Sequence, residues 1–162
     1  MKVLLDTTYL LPLVGIHIQD IPHDLLHKLM VEGHEVFVSD ISIFEVAAKG
    51  AKFIIRGLLE PVDIIDGLRA LVSDVRINRI PLGDVQSLTI ALKLREFLTD
   101  FVDCLILASA IANCDVLITE DADILALRDT GSYMNILNAY NPGFRLSSFK
   151  EFLAAMRGED SL

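Results

Sequence analysis

Short apolar runs alternate along the chain with segments whose apolar residues recur every three or four positions. "KVLLD" (Lys2 to Asp6) and "EVFVS" (Glu35 to Ser39) read as buried parallel strands. "VRINRIPL" (Val75 to Leu82) alternates and predicts a third, more exposed strand, and "DVLIT" (Asp115 to Thr119) a fourth. "MNILNA" is expected to be a last short strand. Between them, "TTYLLPLVG" predicts a helix with Pro12 near its first turn. Residues Asp20 to Gly33 predict another, opened by Pro22 and closed by Gly33. "SIFEVAAKGAKFIIRG" predicts a helix ending near Gly57, and Pro61 opens one to about Ser73. Asp84 caps a helix to about Leu98, and Thr99 or Asp100 caps "FVDCLILASAIANC", which is apolar nearly all round and so belongs at the centre. "EDADILAL" is a short helix. A final helix, about residues 147–157, follows the Pro142–Gly143 turn and packs on the rest.

Strands alternating with helices predict an α/β fold, a three-layer α/β/α sandwich around a mainly parallel sheet. The 162 residues, 52% hydrophobic and without linker or repeat, suit a single domain over 1–162. Cys104 and Cys114 lie in apolar surroundings and read as packed thiols in a reducing cytosol, so the expected location is cytoplasmic. No signal peptide and no membrane span are expected, because Asp6 interrupts the first apolar run and the longest one stops at Asp115.

In a parallel sheet, functional groups collect beyond the carboxyl ends of the strands. Asp6 stands at one such end, and Glu120, Asp121 and Asp123 just past another. Glu45 and Asp103 sit in apolar helices, where a carboxylate without a partner is costly. Each acid also has an ordinary structural use. Asp6 suits a helix N-cap. Ser42 and Glu45 spell a capping box, S-x-x-E. Asp103 falls in a first helical turn, where the helix dipole favours a negative charge. Thr119 suits a cap, with Glu120 and Asp121 as first-turn acids. Four coincidences at one sheet edge are harder to accept together than one Mg²⁺ or Mn²⁺ site. Such hard ions take carboxylate oxygens and generate hydroxide for phosphodiester hydrolysis. His23 and His27 are four apart without a third ligand nearby, so they read as surface histidines. The net charge of −9 argues against a non-specific nucleic-acid binder but is silent on where the acids lie.

"LLDTTYLL", "SIFEVAAKG", "DFVDCLILASA" and "VLITEDADI" occur in that order over about Lys2 to Ala139, and the set resembles the PIN-domain ribonucleases, including the VapC-type toxins. The resemblance implies a divalent-metal endoribonuclease acting on RNA, in many members a homodimer, and for toxins a protein antitoxin. It carries Asp6, Glu45, Asp103 and Asp121 over as metal-binding acids, with Asp123 as a further acid, Thr119 as the hydroxyl before the last acid and Thr7 as the small polar residue after the first. Ile124 stands where an aromatic is frequent, Glu120 where a basic residue is frequent, and residues 58–82 look long for a compact member. If the helix from Ser42 passes Gly50, then Glu45, Lys49, Lys52 and Arg56 share an arc of roughly 60°. That would be a cationic stripe for a phosphate backbone; the plainer alternative is a Glu45–Lys49 ion pair on a solvated face. Two other functions compete. One is a non-catalytic interaction module of this fold. The other is a Mg²⁺ phosphatase of haloacid-dehalogenase type, which wants a second Asp where this chain has Thr8.

Overall fold

The computed structural model describes residues 1–157. Among them, five strands form one sheet in the order β3-β2-β1-β4-β5: β1 (Lys2–Leu5), β2 (Glu35–Ser39), β3 (Asn78–Ile80), β4 (Val116–Ile118) and β5 (Arg145–Ser147). Every neighbouring pair is parallel. The helices are α1 (Leu25–Val31), α2 (Asp40–Ile55), α3 (Pro61–Ser73), α4 (Val85–Leu94), α5 (Phe101–Asn113), α6 (Ala122–Ala126), α7 (Gly131–Tyr140) and α8 (Phe149–Arg157).

Alternation along the strands divides the apolar residues between two cores. Leu4, Ile80, Leu117 and Leu146 pack with α4, α5 and α7 on one face. Val3, Leu5, Val36, Val38 and Ile118 pack with α1, α2, α3 and α8 on the other. This is the expected α/β/α sandwich, with α5 buried from Cys104 to Ile111. The chain runs outward from β1 through β2 to β3, then returns to build β4 and β5 on the other side. The order therefore reverses between β1 and β4, where an open parallel sheet forms a crevice at its carboxyl edge. Asp6 N–H donates to the Ile118 carbonyl at 3.1 Å, so the two strands stay joined up to the point where both candidate acidic segments begin.

Several local expectations are corrected. "TTYLLPLVG" forms two 3-10 turns, Thr7–Tyr9 and Leu11–Val14, ended by Gly15 at φ 83°. "MNILNA" lies inside α7, because Tyr133, Ile136 and Leu137 are buried at helical spacing; the last strand is Arg145–Ser147 instead. α4 stops at Leu94, and the edge strand β3 is only three residues long. Helix α2 is capped by Ser39, whose Oγ accepts from Ile41 N–H, so the capping box that Ser42 and Glu45 could have formed is not used. Ser42 is wholly buried inside the helix, without a partner for its Oγ among the described residues. Gly50 does not end α2. A Cβ there would stand 2.6 Å from Ile64 Cδ1, so the glycine serves the close approach of α3.

Candidate active site

Asp6 follows β1 directly and is 8% exposed. Both its oxygens accept hydrogen bonds: Oδ1 from Thr7 N–H and Oδ2 from Thr119 Oγ–H, each at 2.6 Å. Thr119, fully buried just past β4, also accepts from Asp121 N–H at 3.0 Å. One hydroxyl thus ties the first acidic segment to the last across the β1–β4 crevice. Asp121, rather than Thr119, caps α6, through Oδ1 accepting from Ile124 N–H at 2.9 Å.

Glu45 lies in the second turn of α2, which starts at the carboxyl end of β2. Its Oε2 accepts from Thr7 Oγ1–H at 2.5 Å, and its Oε1 pairs with Lys49 at 2.9 Å. Thr7 therefore bridges Asp6 and Glu45, one through its N–H and the other through its hydroxyl. Asp103 is in the first turn of α5, behind the cap residue Asp100. Its carboxyl is pushed up to about 7, first by burial and then by the negative charges of Asp100, Asp121, Asp6 and Glu45. Burial, with Glu45 adding to it, likewise raises Asp6, while its hydrogen bonds and Lys49 pull the other way.

The four acids Asp6, Glu45, Asp103 and Asp121 thus share the carboxyl edge of one sheet and act on each other electrostatically. Their carboxylate and hydroxyl chemistry fits a hard divalent cation. Among the described residues, however, no three His, Cys, Asp or Glu side chains form a ready-made ligand set. The visible contacts give the reason. Glu45 is held by Thr7 and Lys49, Asp121 by its capping bond, and like charges gain nothing by approaching further. Asp123 is exposed, and neither Asp6 nor Asp103 has it among the charges acting on it most strongly. Lys52 is exposed on α2 and Arg56 at its C-cap, in line with Glu45 and Lys49.

One linkage had no signal in the sequence. Glu120 Oε1 accepts from Tyr9 Oη–H at 2.6 Å and from Phe149 N–H at 2.9 Å, which fixes the start of α8 beside the acidic edge. These partners are 111 and 29 residues away, with no spacing to announce them.

Residues 3–129 match the PIN domain family. No curated protein matches the chain. Among solved structures, a chain in the crystal structure of VapBC2 from Rickettsia felis, bound to a DNA fragment from their promoter, superposes with a TM-score of 0.57. The identity is 17%, over 92% of this chain and 99% of that one, a likeness of fold. With the family match spanning most of its length and all four acids at the carboxyl edge of the expected sheet, the chain belongs to the PIN domain family.

Proposed function

We propose that the protein is a metal-dependent endoribonuclease whose site is built from Asp6, Glu45, Asp103 and Asp121, and that it is the toxin of a toxin–antitoxin pair. The observation that carries the reading is the gathering of Asp6, Glu45, Asp103 and Asp121 at one sheet edge, where burial first and the neighbouring acids second raise the Asp103 carboxyl, an arrangement a divalent cation relieves. Mg²⁺ or Mn²⁺ held by these acids would supply an activated water and charge neutralisation for phosphodiester hydrolysis. The chain's own part is positional. Thr119 and the Thr7 N–H orient Asp6, the Thr7 hydroxyl orients Glu45, and Lys49 offers an ammonium beside them for a phosphate oxygen. Asp123 is assigned a peripheral role at most, since it stands exposed in the first turn of α6.

Partners are part of the same proposal. Val62, Ile65 and Val72 are exposed on α3, Ile55 at the end of α2 and Leu58 in the turn between them; exposed apolar side chains of this kind suit a homodimer contact or an antitoxin. The free, buried thiols of Cys104 and Cys114 suit the cytoplasm. Among the described residues no helix is long and apolar enough to cross a membrane.

The test is a Mn²⁺ titration by calorimetry on the wild type and Asp103→Asn, beside cleavage of single-stranded RNA with and without Mg²⁺. We expect micromolar-to-millimolar Mn²⁺ binding that weakens at least tenfold in the variant, and cleavage that needs the metal. Equal affinity in both proteins sinks the metal site. Metal binding with intact RNA makes the protein a non-catalytic module.

A further inference from the structure

Beside the acidic edge, on its α8 side, lies a cavity of about 590 Å³ that none of the four acids lines. Phe149, half-buried, and Leu153 line it, with buried Tyr9 behind Phe149, ring centroids 6.0 Å apart and planes tilted by 56°. The volume lies within the range of roughly 300–1,000 Å³ typical of small-molecule sites. The cavity adjoins the proposed catalytic groups through the chain itself. Tyr9 is three residues past Asp6, Glu120 follows Thr119, and the Asp6 charge reaches the Tyr9 hydroxyl.

The polar lining says what the cavity takes. Two acids, Glu120 and Asp20, face it against one ammonium, Lys150, so it is ill suited to bury a phosphate. Glu120 Oε1 is occupied by Tyr9 Oη–H and Phe149 N–H, which lock the carboxylate in orientation. Oε2 has no protein partner among the described residues and remains an acceptor. An aromatic wall beside a fixed carboxylate acceptor, with a lysine at the rim, matches a nucleotide: the base stacks, its amino group donates, and its phosphate stays outside near Lys150.

We propose that this cavity is a base-specificity subsite of the nuclease proposed above, in which Glu120 accepts a hydrogen bond from the exocyclic amino group of an unpaired RNA base. Cytosine presents such an amino group; uracil presents a carbonyl oxygen at the same place and is repelled by the carboxylate. The inference rests on the nuclease reading for its biological meaning but is measured by binding.

The experiment is fluorescence anisotropy with 5′-labelled oligocytidylate and oligouridylate, in EDTA and again with Mn²⁺, on the wild type, Glu120→Gln and Leu153→Trp. Glutamine keeps an acceptor for Tyr9 and Phe149 while its amide also donates, so the fold is expected to survive. The wild type should prefer the cytosine oligomer about tenfold. Glu120→Gln should reduce that preference to about twofold or less, and Leu153→Trp, which fills the cavity, should weaken both oligomers. Equal binding of both oligomers by the wild type, no binding of either, a preference unchanged in Glu120→Gln, or affinities unchanged in Leu153→Trp overturns the subsite. Selective binding without any RNA cleavage supports the subsite and fails the nuclease reading; cleavage that ignores Glu120 does the reverse.

Discussion

Asp103 shows how far a single carboxyl departs from ordinary behaviour when its neighbours are also acids. Its folded value of about 7, against an ordinary 3.8, means that the native chain holds a proton which the unfolded chain has released between those two pH values. The unfolded state therefore binds fewer protons, and this group's contribution to stability falls as pH rises from about 4 to about 7. Asparagine at position 103 cannot ionise, so Asp103→Asn is expected to gain on the wild type across that interval. Thermal melts without added metal should show the variant ahead by about 3 °C or more at pH 8, and by much less at pH 4.5. A constant offset at both pH values would mean that Asp103 is not the titrating group. The sequence marked Asp103 as an acid in an apolar helix. It also grouped Asp103 with Asp6, Glu45 and Asp121, but it did not reveal the burial that chiefly sets its charge state, because that depends on elements far apart in the chain.

At the scale of elements, helix propensity and close packing compete at two interior glycines. Alanine in place of a helical glycine favours the helix by about 1 kcal/mol. At Gly50 the added methyl would stand 2.6 Å from Ile64 Cδ1 and 3.1 Å from both Cγ1 and Cγ2, so the buried, β-branched side chain must shift as a whole; Gly50→Ala should cost about 1 kcal/mol net of the helix gain. At Gly67 the methyl would stand 2.2 Å from the Leu13 carbonyl oxygen in the turn under α3, and backbone cannot rotate aside. Gly67→Ala should cost about 2–3 kcal/mol in urea unfolding, at a similar m-value. The passage of α2 through Gly50 has a second outcome. Lys52 and Arg56 do stand in line with Glu45 and Lys49, while Lys49 is already paired with Glu45. The Glu45–Lys49 ion pair is present, and among the described residues Lys52 and Arg56 are cations free of an ion-pair partner. If the free cations track single-stranded RNA, Lys52→Ala with Arg56→Ala should flatten the salt dependence of binding by about 1.4 in log–log slope, two phosphates at about 0.7 each. An unchanged slope would leave the stripe as solvated surface. Element identity was legible wherever the apolar period was long, as in α2 and α5. It failed for "MNILNA", where six residues fit either period until tertiary burial of Tyr133 and Ile136 decides.

For the whole molecule, the reversal of strand order matters more than any one element. It places β1 and β4 side by side although more than a hundred residues separate them, and that adjacency assembles the site. The PIN match ends at residue 129, but the sheet does not: β5 pairs with β4, and the Ser147 carbonyl accepts from Thr119 N–H at 3.0 Å. A chain ending at Tyr140 would bare the edge of β4 and the apolar residues that Phe144, Leu146 and Phe152 cover. We expect that truncation to aggregate, or to lose near-ultraviolet circular dichroism and amide protection in β4; a monomer with the native spectrum would show that β5 and α8 are dispensable. The sandwich was legible in the alternation of periods. The strand order was not, since no local pattern states which strand lies beside which.

The pair of hydrogen bonds on Asp6 bears on the choice of an inactive control. Asparagine has the shape of aspartate, yet its amide nitrogen would have to face either Thr7 N–H or Thr119 Oγ–H, donor against donor. The Thr7 amide cannot reverse. The Thr119 hydroxyl would have to turn its proton away from position 6 while still accepting from Asp121 N–H, inside a site where it is fully buried. Asp6→Asn would thus disturb the clasp between the two central strands as well as any chemistry, and a dead enzyme would have two explanations. The Asp103 side chain has no hydrogen bond to another described residue, so replacing it leaves that clasp untouched, and loss of activity there can be read as loss of chemistry alone.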